Sequence, residues 1–297
     1  MTWRRVGAGT AAFSAFAASI ALASILSLAG CSPPARIYST WASLGEVPMR
    51  TAGAALEALP PAGCSPWAGT ASHHLLADSL IDRWFAELSR RREVGTFFIL
   101  SPSHWGLSAQ EFSVTDGSWR VPGRLVESDR REARLLARRL RVSLEPKVFD
   151  PEHGVSTLAP YIAKYFPRAR VVAIAYAGES PVNQPMAAAL AAALEPEFEG
   201  RAAKAHNFLL VSTDFSHHGD RARTDEKDEL SRRFFDSPSR ASWIMAGCDN
   251  RPGIYALAAL LSPGSRSAVL FHSDSLTLSG QGAGDITSYF FSFFWDP

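Results

Sequence analysis

The sequence predicts an α/β domain: a central, mostly parallel sheet flanked by helices on both faces. Three observations carry this. Apolar runs of β type recur along the chain, GTFFIL at 95–100, ARVVAIAYA at 169–177, NFLLVST at 207–213, RSAVLFH at 266–272 and ITSYFFSFFW at 286–295. Segments of helical period separate them, among them LLADSLIDRWFAELSRR at 75–91 and VSTLAPYIAKYF at 155–166, and such alternation is the pattern of a sheet covered by helices. Polar clusters also follow the ends of strand-like runs: WAGTAS leads into His73, FFILSPS into His104, and LLVSTD into Asp214 and His217.

Taken in order, the first thirty residues stand apart from the fold. Arg4 and Arg5 precede an uncharged stretch from Val6 to Gly30 that ends in Leu28-Ala29-Gly30-Cys31, the pattern of a secretory signal (1–30). The stretch is long enough to span a bilayer, but its Ala/Ser content and the small residues before Cys31 favour cleavage. Leu-Ala-Gly-Cys resembles a bacterial lipobox, which makes Cys31 the site of lipidation, and two or more acyl chains make a stable anchor. The expectation is a membrane-anchored lipoprotein facing out of the cytoplasm, and Ser32 after the cysteine leans towards the outer membrane. Residues 31–60, rich in Pro, Ala, Ser and Gly, read as the lipidated cysteine and a tether, with the folded body spanning 61–297.

The chain of 297 residues is 46% hydrophobic, with 30 basic and 29 acidic groups, the composition of an ordinary globular protein. Removing 1–30 takes away Arg4 and Arg5 and no acid, so nothing in the charge balance points to nucleic acid. The densest basic run, DRREARLLARRLR at 129–141, carries leucines at helical spacing and reads as a solvated helix face. The glycine-rich SGQGAGD at 279–285 precedes a strand and lacks the Lys-Ser/Thr of a phosphate loop, so it reads as a flexible loop in which Asp285 faces the pocket.

Six of the eight histidines fall at four places, His73 with His74, His104, His153, and His217 with His218. Singly, each has a plain structural explanation: a helix cap, a packed loop residue, or an acid such as Glu152 favouring a helix start. Jointly, they sit past the carboxyl ends of separate strands, where loops of an open α/β sheet converge on ligands. Metal and acid–base sites require such convergence.

SHHLLADSLI (72–81), FILSPSHWG (98–106), EHGVSTLAPYI (152–162), STDFSHHGD (212–220) and GCDNRPGIYALAALL (247–261) together resemble the Memo family, whose bacterial members are known as protein B of the AmmeMemoRadiSam system. The resemblance covers about 61–297 and implies the α/β fold of the LigB-type class III extradiol dioxygenases. It implies that His73, His104 and Cys248 hold one iron or copper ion, His73 being preferred to His74 from the start of the motif. Asp214 and His217, with Glu152 and His153, are implied in catalytic acid–base roles around the same pocket. Two imidazoles and a thiolate suit a redox-active metal. The chain departs from the family at Ser72, Gly154, Ser156 and Asp249. The LigB-type dioxygenases hold ferrous iron with two histidines and a carboxylate, and the resemblance puts a cysteine in the carboxylate's place here, so ring cleavage is not carried over.

Cys64 and Cys248 would share an oxidising compartment, making a disulfide between them the rival to a ligand role. The leading expectation is a metal-dependent redox enzyme acting on a small substrate outside the cytoplasm. The alternatives are a non-catalytic metal-binding lipoprotein, or an interaction module binding a peptide in the same pocket. Radical-SAM and AMMECR-type partners are implied by family association.

Overall fold

The computed structural model describes residues 35–49, 53–178 and 181–297. The signal segment 1–30 and Cys31 lie outside the described residues. Among the described residues no helix is long and apolar enough to cross a membrane.

In chain order the elements are β1 (Ile37–Tyr38), β2 (Ala68–Ala71), α1 (Asp78–Arg91), β3 (Thr96–Pro102), β4 (Phe112–Thr115), β5 (Ser118–Val121) and β6 (Arg124–Val126). They continue as α2 (Arg130–Leu140), α3 (His153–Ser156), α4 (Ala159–Tyr165), β7 (Arg170–Tyr176), α5 (Gln184–Phe198), α6 (Gly200–His206) and β8 (Asn207–Ser212). The chain closes with α7 (Arg221–Asp236), α8 (Arg251–Ala259), β9 (Arg266–Asp274), α9 (Ser275–Ser279) and β10 (Ser288–Trp295).

Seven strands form the main sheet in the order β4-β7-β3-β8-β2-β10-β9. Its centre, β7-β3-β8-β2, is parallel, and antiparallel strands close both sides. The centre is parallel because its strands are apolar on both faces: every residue of β3 is buried. Phe97 and Ile99 pack to one side with Trp84, Phe85 and Leu88 of α1 and Ile162 of α4. Phe98 and Leu100 pack to the other with Leu190 and Leu194 of α5 and Ile254 and Leu257 of α8. Helix α1 presents Leu80, Ile81, Trp84, Phe85 and Leu88 on one face, the spacing of an amphipathic helix, and Trp84 Nε1 donates to the Ser292 carbonyl at 3.0 Å. Burying an aromatic side chain of this kind contributes about 2–3 kcal/mol.

The folded body begins earlier than the expected boundary at 61. Strand β1 pairs in parallel with β5 in a second, three-stranded sheet, β1-β5-β6. Tyr38 is fully buried there, its ring centroid 5.2 Å from that of Trp119. Within the tether reading, then, residues near 37–44 belong to the fold. The pairing joins positions about eighty residues apart, and a two-residue strand leaves no periodicity to read.

Candidate metal centre

Three parallel neighbours, β2, β8 and β3, end on the same edge of the sheet, and the residues that follow them meet there. His73 stands two residues past β2, His104 two past β3, and Asp214 two past β8. Asp249 arrives from the turn before α8. This is the ligand-binding edge of an open α/β sheet.

His73 is buried and His104 partly so, and their Nε2 atoms face each other at 3.1 Å. The other ring nitrogens decide what faces what. Ser212 Oγ lies 2.6 Å from the Gly154 carbonyl, which can only accept, so the hydroxyl proton goes there. His73 Nδ1, 3.0 Å from the same Oγ, must therefore donate. His104 Nδ1 donates to Glu152 Oε1 at 2.7 Å. With both Nδ1 protons held on the far sides of the rings, the two Nε2 lone pairs converge on one point, where either a proton shared between the rings or a metal ion beside them relieves the repulsion.

Carboxylates complete the surroundings. Asp249 Oδ1 is pinned by the Thr213 hydroxyl at 2.7 Å and the Asp214 amide at 3.0 Å. Its Oδ2 is thereby aimed at the imidazoles, 3.3 Å from His73 Nε2 and 3.9 Å from His104 Nε2. Asp214 Oδ2 is 3.8 Å from His73 Nε2, and His217 Nε2 is 3.8 Å from Asp249 Oδ2. Asp249 Oδ2, Asp214 Oδ1 and His217 Nε2 are all buried without a hydrogen-bond partner. Buried polar atoms left in that state cost free energy unless something else engages them.

Electrostatics follow the geometry. Burial opposes a charge on His73, but Asp214 and Asp249 outweigh it and raise its pKa. Burial likewise opposes a charge on His104, but the nearby Asp249 carboxylate and the bond to Glu152 hold it at about 9. Asp249 is held well below the ordinary carboxylate range, burial being overcome by His73 and His104. Burial and the two neighbouring imidazoles pull His153 down to about 4.

Glu152 is the buried brace of the site. Its Oε2 accepts the His104 amide at 3.0 Å and its Oε1 the Gly154 amide at 2.8 Å, besides the His104 ring. A Cβ at Gly154 would lie 2.0 Å from Ser101 Oγ, so any other residue there would force the Ser101 side chain to move. His153 stacks obliquely on His104, ring centroids 4.0 Å apart.

The predicted residues thus divide. His73, His104, Glu152, His153, Asp214 and His217 are brought together. His74 turns aside, its Nδ1 2.7 Å from the Tyr289 hydroxyl. Asp285 binds His218 Nδ1 at 2.8 Å, and both side chains are exposed. Among the described residues, groups with donor atoms all within 4.8 Å are His73, His104 and His153, and His73, Asp214 and Asp249; Cys248 belongs to neither. The carboxylate of the next residue, Asp249, faces the imidazoles, 3.3 Å from His73 Nε2. Cys248 packs partly buried against the apolar core, and burial, then Asp249, pushes its thiol up to about 12. Cys248 and Cys64 are both free thiols.

Asn250 was not anticipated. Fully buried, it donates from Nδ2 to the carbonyls of Leu100 and Ser212, both at 2.9 Å, clasping the ends of β3 and β8. Its Oδ1 accepts the Tyr176 hydroxyl at 2.8 Å and caps α8 at the Gly253 amide at 3.0 Å. The sequence did carry a signal, since Asn before Arg-Pro-Gly is an N-cap pattern.

A sheet edge that gathers histidines and carboxylates with donor atoms this close is a candidate metal-binding group on an α/β fold. A family profile described as a Memo-like protein matches residues 76–237, just over half of the chain. The chain belongs to the Memo family. It is 27% identical over 177 residues to a MEMO1 family protein of Pyrobaculum aerophilum, covering 58% of this chain and 61% of that one. A MEMO1 family protein of Caldivirga maquilingensis is 25% identical over 145 residues, 48% of this chain and 50% of the relative. A third, from Pyrobaculum arsenaticum, is 30% identical over 135 residues, 45% and 46% of the two chains. The chain thus spans about half the length of the curated relatives it matches.

Proposed function

We propose that this Memo-family protein holds one divalent redox-active metal between His73, His104 and Asp249 and uses it on a small substrate outside the cytoplasm. The observation that carries the reading is the 3.1 Å approach of two imidazole nitrogens whose protons lie on the opposite side of each ring. Two imidazoles and a carboxylate with no thiolate suit divalent iron better than a copper–thiolate centre. Such an ion supplies Lewis acidity and electron transfer when bound.

The chain's own residues do the rest. Ser212 and Glu152 fix the ring orientations and tautomers of His73 and His104, the outer-shell role that strengthens imidazole ligands. His153, neutral at ordinary pH, and Asp214 and His217 stand beside the centre as groups that accept or pass a proton. Extracytoplasmic tethering through Cys31 belongs to the same proposal, supported by the Leu28–Cys31 pattern.

Anaerobic preparation with iron(II), followed by elemental analysis, tests the metal site. The expected result is about one ion per chain in the wild type, with loss in His104→Ala and in Asp249→Ala. Equal metal content in the three proteins would sink the proposal. A mass increment on Cys31, absent in Cys31→Ser, tests the anchor separately.

A further inference from the structure

Next to the histidine and carboxylate group lies a cavity of about 380 Å³ whose wall includes His217, His218, Lys227, Cys248, Asp249 and Arg251. Lys227, half-buried on α7, donates to the His217 carbonyl at 3.1 Å and has no ion pair among the described residues. Arg251 donates to the Ile244 carbonyl at 3.0 Å and lies over the Trp243 ring, 5.4 Å from its centroid. Both hold cationic groups at the cavity.

The one acid of the wall, Asp249, has Oδ1 bonded to Thr213 and the Asp214 amide, and its Oδ2, without a hydrogen-bond partner, lies 3.3 Å from His73 Nε2. His218 uses Nδ1 on the exposed Asp285. His217 has its Nε2 buried and unpartnered between the cavity and the imidazole pair. A cationic ligand would face the Lys227 charge here, and a neutral one would leave the lysine with only a backbone carbonyl. A negatively charged ligand head engages Lys227 at short range in a recess where solvent screens it incompletely.

We propose that this cavity binds a small molecule carrying a carboxylate or phosphate group, with Lys227 as its charged contact. The inference deepens the metal-centre reading by naming the substrate class, and rests on it only for the role of substrate; the anion site itself stands on the cavity.

Calorimetric titration of the metal-free full chain tests it, using inorganic phosphate in one arm and acetate in the other. Ionic strength is held constant with sodium chloride, and acetamide serves as the neutral control. The expected result is saturable binding of at least one anion, weakened about tenfold or more in Lys227→Gln and retained in Lys227→Arg. The tighter arm names the head group. Absence of binding in both arms, or equal binding by Lys227→Gln, overturns the proposal. Iron(II) loading is read on the same preparations by elemental analysis. Anion binding without metal loading defeats the metal centre alone, and metal loading without anion binding defeats the anion site alone.

Discussion

Asp249 and Cys248 are chain neighbours with opposite assignments: the Asp249 carboxylate stands 3.3 Å from His73 Nε2, while Cys248 packs against the apolar core on the far side of the sheet from α1. In Memo-like sequences the cysteine is the residue the resemblance singles out. Here the geometry favours the carboxylate. Cys248→Ala should therefore keep its full complement of iron, and a cobalt(II)-substituted wild type should lack an intense sulfur-to-metal charge-transfer band. Metal loss in Cys248→Ala, or such a band, would restore the thiolate.

Glu152 acts on the centre through His104. Replacing it by glutamine leaves one acceptor and introduces a donor against the His104 and Gly154 N–H groups. Outer-shell substitutions of this kind weaken metal affinity about 10–100-fold. Competitive titration with a calibrated chelator should give a value in that range for Glu152→Gln. An unchanged affinity would reduce Glu152 to a helix cap.

Proton and metal compete for the same lone pairs. His104 has a folded-state pKa of about 9 against an ordinary histidine value of 6.5, so the stabilisation from its protonation is present in the metal-free protein below pH 6.5 and is lost as pH rises through 9. Metal must displace that proton. Apparent affinity should climb about tenfold or more per pH unit across this window, with at least one proton released per ion. Calorimetry in buffers of differing ionisation enthalpy counts the protons, and a pH-independent affinity would place the metal elsewhere.

Asn250 offers a test of the scaffold. Asn250→Asp keeps an N-cap acceptor for α8 but sets a carboxylate against the Leu100 and Ser212 carbonyls, removing both Nδ2 bonds. Leaving buried carbonyls unpaired costs about 1–3 kcal/mol each. Urea denaturation should show a loss of about 3 kcal/mol or more, and a loss near zero would mean that the strand ends do not depend on this side chain.

The sequence by itself determined the α/β class, the central strands and the edge at which the chemistry gathers. Those features are local or periodic. A run such as FFIL is apolar at every position, so it reads as a strand buried on both faces, and the residues after it necessarily leave the sheet at its carboxyl end. His73, His104, Asp214 and His217 were legible for that reason, and Glu152 and His153 through their motif.

Only the tertiary structure decided between residues adjacent in the chain. Asp249 faces His73 because Asn250 ties its turn to the carbonyls of Leu100 and Ser212, on two other strands, while Thr213 and the Asp214 amide orient its carboxylate. His73 rather than His74 faces His104 because Ser212 receives one imidazole and Tyr289 the other. β1 joins the fold through a partner about eighty residues away. Each outcome depends on hydrogen bonds between groups distant in sequence, and the direction of a side chain in a loop has no period from which to read it.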